Sequence, residues 1–95
     1  MVSFAEPSSI GYTIYSKTGC TYCTKVQLLL TGFELPYTIV NCDEYLLENK
    51  EKFLDFIKTK AEKEYKTFPM VFLEGKFIGG FMETKASIDI NSDND

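Results

Sequence analysis

The sequence predicts an α/β domain, a four-stranded mixed sheet flanked by helices, with elements running β-α-β-α-β-β-α. Three observations carry this prediction. Short β-branched and aromatic runs alternate with segments whose apolar residues recur at helical spacing. The opening strand–helix–strand unit calls for parallel strands joined by a right-handed crossover. Two late strands are separated only by Glu74-Gly75, which makes them an antiparallel hairpin. At 95 residues the chain forms one domain, residues 1–95 with a core over about 10–85, just large enough to fold without metal or disulfide staples.

Each element follows from local chemistry. Residues 1–9 read as a short polar lead. Residues 11–16, Gly-Tyr-Thr-Ile-Tyr-Ser, alternate aromatic and β-branched side chains and read as a strand. Residues 21–31 carry Val26, Leu29 and Leu30 at helical spacing, with Gly32 as the stop. Pro36 opens a second strand, Tyr37-Thr-Ile-Val40, whose continuous apolar and β-branched character predicts a buried strand. Asp43 is placed to cap the next helix. From 44 to 65, Leu47, Phe53, Leu54, Ile57, Ala61 and Tyr65 recur at three- and four-residue steps, predicting an amphipathic helix or a pair of helices. Met70–Leu73 and Lys76–Ile78 form the hairpin, and Gly79-Gly80 ends it. A short helix is expected from Met82 to about Ile90, and Asn91–Asp95 reads as a frayed acidic tail.

Composition excludes several functions. The net charge is −4 and no basic block occurs, which argues against a nucleic-acid partner and against attraction to anionic membranes. No apolar run approaches the roughly 20 residues of a membrane span. Met1–Ser9 lacks a basic and an apolar signal region, so a cytoplasmic chain in a reducing compartment is expected. There the three cysteines are no disulfide framework. With eight Phe, six Tyr and no Trp, the core should be rich in Phe and Tyr.

Cys20-Thr21-Tyr22-Cys23 carries the chemistry. Two cysteines at this spacing can close a local disulfide. The first sits at a helix N-terminus, where outward N–H groups and the helix dipole favour a thiolate, the species that attacks disulfides. Cys23 lies one turn on, within reach of a mixed disulfide. A CxxC pair near a βαβ unit marks the thioredoxin-like fold.

Three blocks make the match more specific. Lys17-Thr-Gly-Cys-Thr-Tyr-Cys23, Lys66-Thr-Phe-Pro-Met-Val-Phe72 and Gly75-Lys-Phe-Ile-Gly-Gly80 occur in that order, and the chain resembles a dithiol glutaredoxin over about residues 10–85. The resemblance implies a glutathione-dependent thiol–disulfide oxidoreductase with Cys20 as nucleophile and Cys23 as resolving thiol. Glutathione would be the co-substrate, with no tightly bound cofactor. Lys17, Tyr22, Thr67, Phe68, Pro69, Gly80, Phe81 and Met82 would form the glutathione site. A cis bond is implied at Pro69, with the Phe68 backbone pairing to glutathione as an added strand. The Gly79-Gly80 backbone would receive a ligand carboxylate. Disulfide-containing or glutathionylated proteins, ribonucleotide reductase among them, are the implied clients of a monomeric enzyme.

The chain departs from the family pattern in places. Many members hold the glutathione amino group with an acidic or hydroxyl residue after the double glycine; here Met82 is apolar, leaving Glu83 or Thr84 to substitute. Thr21 stands where Pro is commoner, and this supports a second reading, a dimer bridged by a [2Fe–2S] cluster ligated by Cys20 and glutathione. A zinc site would need ligands that a chain with no His and one further cysteine hardly supplies. A docking module with vestigial thiols is the remaining alternative. Cys42, after a strand, reads as a small core residue.

Overall fold

The computed structural model describes residues 3–92. Strands β1 (Tyr12–Ser16), β2 (Tyr37–Asn41), β3 (Met70–Leu73) and β4 (Lys76–Gly79) and helices α1 (Thr21–Gly32), α2 (Asp43–Ala61) and α3 (Phe81–Ser92) appear in the predicted order. The sheet runs β2-β1-β3-β4. β1 pairs parallel to β2 and antiparallel to β3, and β3 pairs antiparallel to β4. This is the thioredoxin-like arrangement.

Alternation along the strands sorts side chains into two cores, one on each face of the sheet. Tyr12 and Ile14 of β1 and Val71 of β3 meet Val26 and Leu30 of α1 and Ile88 of α3. On the opposite face Tyr15, Met70 and Phe72 meet Phe53 and Ile57 of α2. Each fully buried Leu, Ile, Val or Phe contributes about 1.5–3 kcal/mol of burial. At the β3–β4 turn Glu74 and Gly75 both take positive φ, 50° and 83°, the pair of left-handed residues that a type I′ hairpin requires.

Four local expectations are corrected. β2 is an edge strand rather than a buried one: its residues are half-buried or exposed, and Ile39 is 41% exposed. A β-branched run suits either situation, and strand order decides which. Of the two readings for 44–65 the pair of helices is the one observed, but the apolar stripe is not continuous: it is broken at Asn49, whose φ of −149° and ψ of 51° join the two helices across a kink. Tyr45 and Leu46 therefore face the core before the kink, while Leu47 is 88% exposed. The helix ends at Ala61 with Glu62 left-handed at φ 60°, so Tyr65 lies beyond it and packs edge-on against Phe77. The N-terminal lead is not merely polar. Phe4 sits 4.9 Å from Tyr45 and 5.3 Å from Phe56 between ring centroids, Tyr15 Oη donates to the Ala5 carbonyl at 2.6 Å, and Glu6 pairs with Lys60. Asn91 and Ser92 belong to α3, and the rest of the acidic tail lies outside the described residues.

Phe53 ties this second core together: it is fully buried among the rings of Phe4, Tyr15, Tyr45, Phe56 and Phe68. Replacing it with Ala removes that packing and leaves a cavity. Phe53→Ala should cost about 3–5 kcal/mol of unfolding free energy in urea titrations.

Candidate active site

Cys20 occupies the N-cap of α1, with extended backbone (φ −92°, ψ 107°), and its Sγ accepts a hydrogen bond from the Cys23 N–H at 3.2 Å. Sulfur thus takes the place of the oxygen that usually caps a helix. The first turn of α1 holds no acidic residue, so no carboxylate competes for the positive end of the helix. Cys20 and Cys23 are joined as a disulfide with Cα atoms 5.2 Å apart. The two sulfurs differ in access: Cys20 is half-buried, whereas Cys23 is 4% exposed and forms part of the buried face of α1.

Two depressions flank the pair. One, of about 390 Å³, is polar; Cys20 and Cys23 line it together with Lys17, Thr18, Thr21 and Thr24. The other, of about 200 Å³, is aromatic and gathers Tyr22, Tyr65, Phe68, Pro69, Phe81 and Met82 over Gly80 and Glu83. The Phe68–Pro69 bond is cis. Phe68 stacks on Phe53 at 6.3 Å and 7°, so the wall of the cleft rests on the α2 core. Lys17 links the two sides, its ammonium 5.4 Å from the Phe68 ring centroid. Of the residues the sequence singles out for a ligand, Lys17 thus lies with the cysteines, and Tyr22, Phe68, Pro69, Gly80, Phe81 and Met82 share the aromatic cleft. Thr67 is exposed and lines neither depression.

Within the double glycine, the Gly80 N–H has a partner in the chain itself. The Gly80 N–H donates to Glu83 Oε1 at 2.8 Å, so the carboxylate at the third position of α3 reaches back to the N-cap backbone, the glutamate half of a capping box. Thr84 Oγ1 is likewise committed, donating to the Gly80 carbonyl at 2.8 Å from a fully buried side chain. The Gly80 N–H is therefore already paired and the Thr84 hydroxyl is buried, while the exposed Glu83 bonds Gly80 through one oxygen only. A Cβ at Gly80 would lie 2.8 Å from Tyr65 Oη, so a larger residue there would require the Tyr65 side chain to move. Tyr65 is a lining residue that sequence reasoning places on a helix face. It enters the cleft from the loop after α2, a position no local pattern marks.

The loop before Cys20 is held from α2. The Asp43 carboxylate accepts the Thr18 N–H at 2.9 Å and the Thr18 hydroxyl, and these two bonds, the hydroxyl's first, hold its pKa below the usual carboxylate value. Asp43 is the first residue of α2 and does not cap it. Cys42 stands at the N-cap without a side-chain cap bond, and Asn41 Oδ1 accepts the Asp43 N–H at 2.9 Å. The Cys42 thiol is fully buried and donates to the Val40 carbonyl at 3.5 Å. Burial, with a smaller addition from the Asp43 charge, pushes its pKa up to about 12.

The glutaredoxin family model matches residues 12–78, from β1 into β4. The chain belongs to the glutaredoxin family. Human mitochondrial glutaredoxin-2 is 39% identical over 72 residues, which are 75% of this chain and 41% of that protein. The chain thus spans about two fifths of the length of this curated relative. Glutaredoxin 1 from Francisella tularensis, solved in complex with cacodylate, superposes with a TM-score of 0.74 at 27% identity, covering 87% of this chain and 96% of its own. The holo form of glutaredoxin C1 from Populus tremula x tremuloides gives 0.71 at 32% identity, covering 88% and 79%.

Two outcomes test this description. Asp43 is depressed when folded, so its clamp stabilises the protein above the unfolded carboxylate value, about 4, and this is lost as pH falls through the folded value. Asp43→Asn should lower the melting temperature at neutral pH, and the gap to wild type should close below about pH 4. Cys42 should resist iodoacetamide at pH 8 in the folded, reduced protein while Cys20 is alkylated, as peptide mass mapping would show.

Proposed function

We propose that the chain is a glutathione-dependent thiol–disulfide oxidoreductase acting on protein disulfides and glutathione mixed disulfides. The observation that carries this reading is the inequality of the two sulfurs: Cys20 caps α1 at the surface, and Cys23 lies buried one turn on. The Cys20 thiolate attacks one sulfur of a substrate disulfide. That S–S bond breaks, a mixed disulfide forms at Cys20, and the other substrate sulfur leaves as a thiolate. For a protein disulfide, the Cys23 thiolate then attacks Cys20 Sγ, expelling the second substrate thiol and closing the Cys20–Cys23 bond. Two glutathione molecules return the pair to dithiol and become glutathione disulfide. For a glutathionylated protein, the protein thiol departs first and glutathione resolves the mixed disulfide.

The chain's own residues supply three things. The α1 N-terminus and the Cys23 N–H favour sulfur as an anion, which promotes both attack and departure. Lys17 offers a cation beside the pair for a carboxylate of glutathione. The wall at the cis Phe68–Pro69 bond, just before β3, offers its backbone groups to the tripeptide, and Tyr22 and Phe81 flank it. A reducing, cytoplasm-like compartment suits this cycle, since the cycle draws its electrons from glutathione held as the thiol.

Cys20→Ser should abolish turnover of every disulfide substrate. Cys23→Ser should lose reduction of protein disulfides and keep turnover of a small glutathione mixed disulfide in the glutathione-coupled assay. An inert Cys23→Ser beside an active Cys20→Ser would reverse the roles assigned here.

A further inference from the structure

The two sides of the disulfide differ in chemistry, and the difference bears on which proteins can react. One side is hydroxyl-lined and the other apolar and aromatic. On the apolar side two large side chains stand open: Met82 is 66% exposed and Tyr22 51%. Tyr22 lies 5.6 Å from Phe81 between ring centroids. Two cations border this rim, Lys25 at 4.8 Å from the Tyr22 ring and Lys17 at 5.4 Å from the Phe68 ring. The acid in the cleft, Glu83, is paired with the Gly80 N–H.

The reaction itself dictates what covers the rim. Forming the mixed disulfide brings a substrate sulfur to covalent distance of Cys20 Sγ, with Cα atoms of the two half-cystines roughly 5.5–6 Å apart. The residues on either side of that half-cystine lie only about 3.8 Å further along the chain. A reacting polypeptide that runs toward the aromatic cleft lays a neighbouring side chain across Tyr22 and Met82. An apolar neighbour gains by burying against them. A basic neighbour buries less apolar area there and meets two ammonium groups already seated on the Tyr22 and Phe68 faces.

Resting on the oxidoreductase reading above, we propose that this rim selects protein disulfides whose half-cystine has an apolar neighbour, with Met82 and Tyr22 as the specificity-determining residues. The chemical step is the one already written: Cys20 takes one sulfur of the substrate disulfide, the other leaves, Cys23 closes the internal disulfide, and glutathione supplies the electrons.

Two peptides test this, each with one internal disulfide, alike except that leucines flank both half-cystines in one and lysines in the other. The wild-type chain should reduce the leucine peptide with a kcat/KM about tenfold higher, the scale of one or two methylenes entering an apolar pocket. Met82→Asp and Tyr22→Ser should each bring that ratio toward one; both positions are exposed, so folding should survive. A wild-type ratio near one, a preference for the lysine peptide, or a ratio unmoved in both variants overturns the inference while leaving the oxidoreductase reading intact. Failure of the wild type to reduce either peptide overturns both.

Discussion

The hydrogen bond from the Cys23 N–H to Cys20 Sγ joins the fold to its chemistry. It forms because the chain leaves β1 at Ser16, crosses four residues and starts α1 at Thr21, so that Cys20 is the last non-helical residue. That position is held firmly from behind. β1 is an interior strand with neighbours on both sides, and its side chains enter both cores. The Cys42 N–H donates to the Ser16 carbonyl at 2.8 Å, and Asp43 grips Thr18. Sheet, α1 and the start of α2 thus converge on the loop that ends in the reactive sulfur.

The aromatic cleft depends on the core below α2 in the same way. Phe68 faces the ligand side, yet its ring stacks on Phe53, and Phe53 is surrounded by rings from β1, α2 and the N-terminal segment. Residues 3–6 belong to this structure: Phe4 fills a gap between Tyr45 and Phe56, and the Ala5 backbone is bonded at both ends, to Tyr15 Oη and Tyr45 Oη. Close packing transmits displacements, so a loss at Phe4 or Phe53 reaches the wall beside Pro69. Stability and site geometry are here one property.

Most of the fold is legible in the sequence because it rests on period and punctuation. The alternation in Tyr12–Ser16, the helical spacing of Val26 and Leu30 and the Glu74-Gly75 turn are local signals, and each element appears where they stand. The features that escape sequence reasoning depend on neighbours distant in the chain. Whether Tyr37–Asn41 is an edge or an interior strand is decided by β3 adding to the far side of β1. Leu47 fits an apolar stripe until Asn49 interrupts the helix. Asp43 has the chemistry of a cap, but a carboxylate takes whichever donor is nearest, and the fold presents Thr18. At the site, the cysteine pair and the Phe68-Pro69 wall are readable from spacing and motif. The pairing of Gly80 with Glu83 has a capping-box spacing that is present in the sequence, where the family resemblance points instead to a ligand contact.

Cys20 and Cys42 show how little of a cysteine's reactivity resides in the residue itself. Both stand at the N-cap of a helix, α1 and α2 respectively. At α1 the extended cap backbone turns the sulfur toward an N–H donor at the surface, which suits a thiolate. At α2 the cap backbone has φ −102° and ψ 7°, the side chain makes no cap bond, and the thiol lies buried with its proton directed to the Val40 carbonyl. Ionising it would strip that donor away, place a charge in an apolar core and set it beside the Asp43 carboxylate. Burial above all, with the Asp43 charge, outweighs a backbone hydrogen bond at Ser16 that favours the thiolate, and the pKa is pushed up to about 12. A helix N-terminus therefore activates a sulfur only when the cap torsions aim it at the N–H groups and the surface leaves it partly wet. The βα turn of Lys17–Cys20 meets both conditions, and the strand-to-helix junction at Cys42 meets neither.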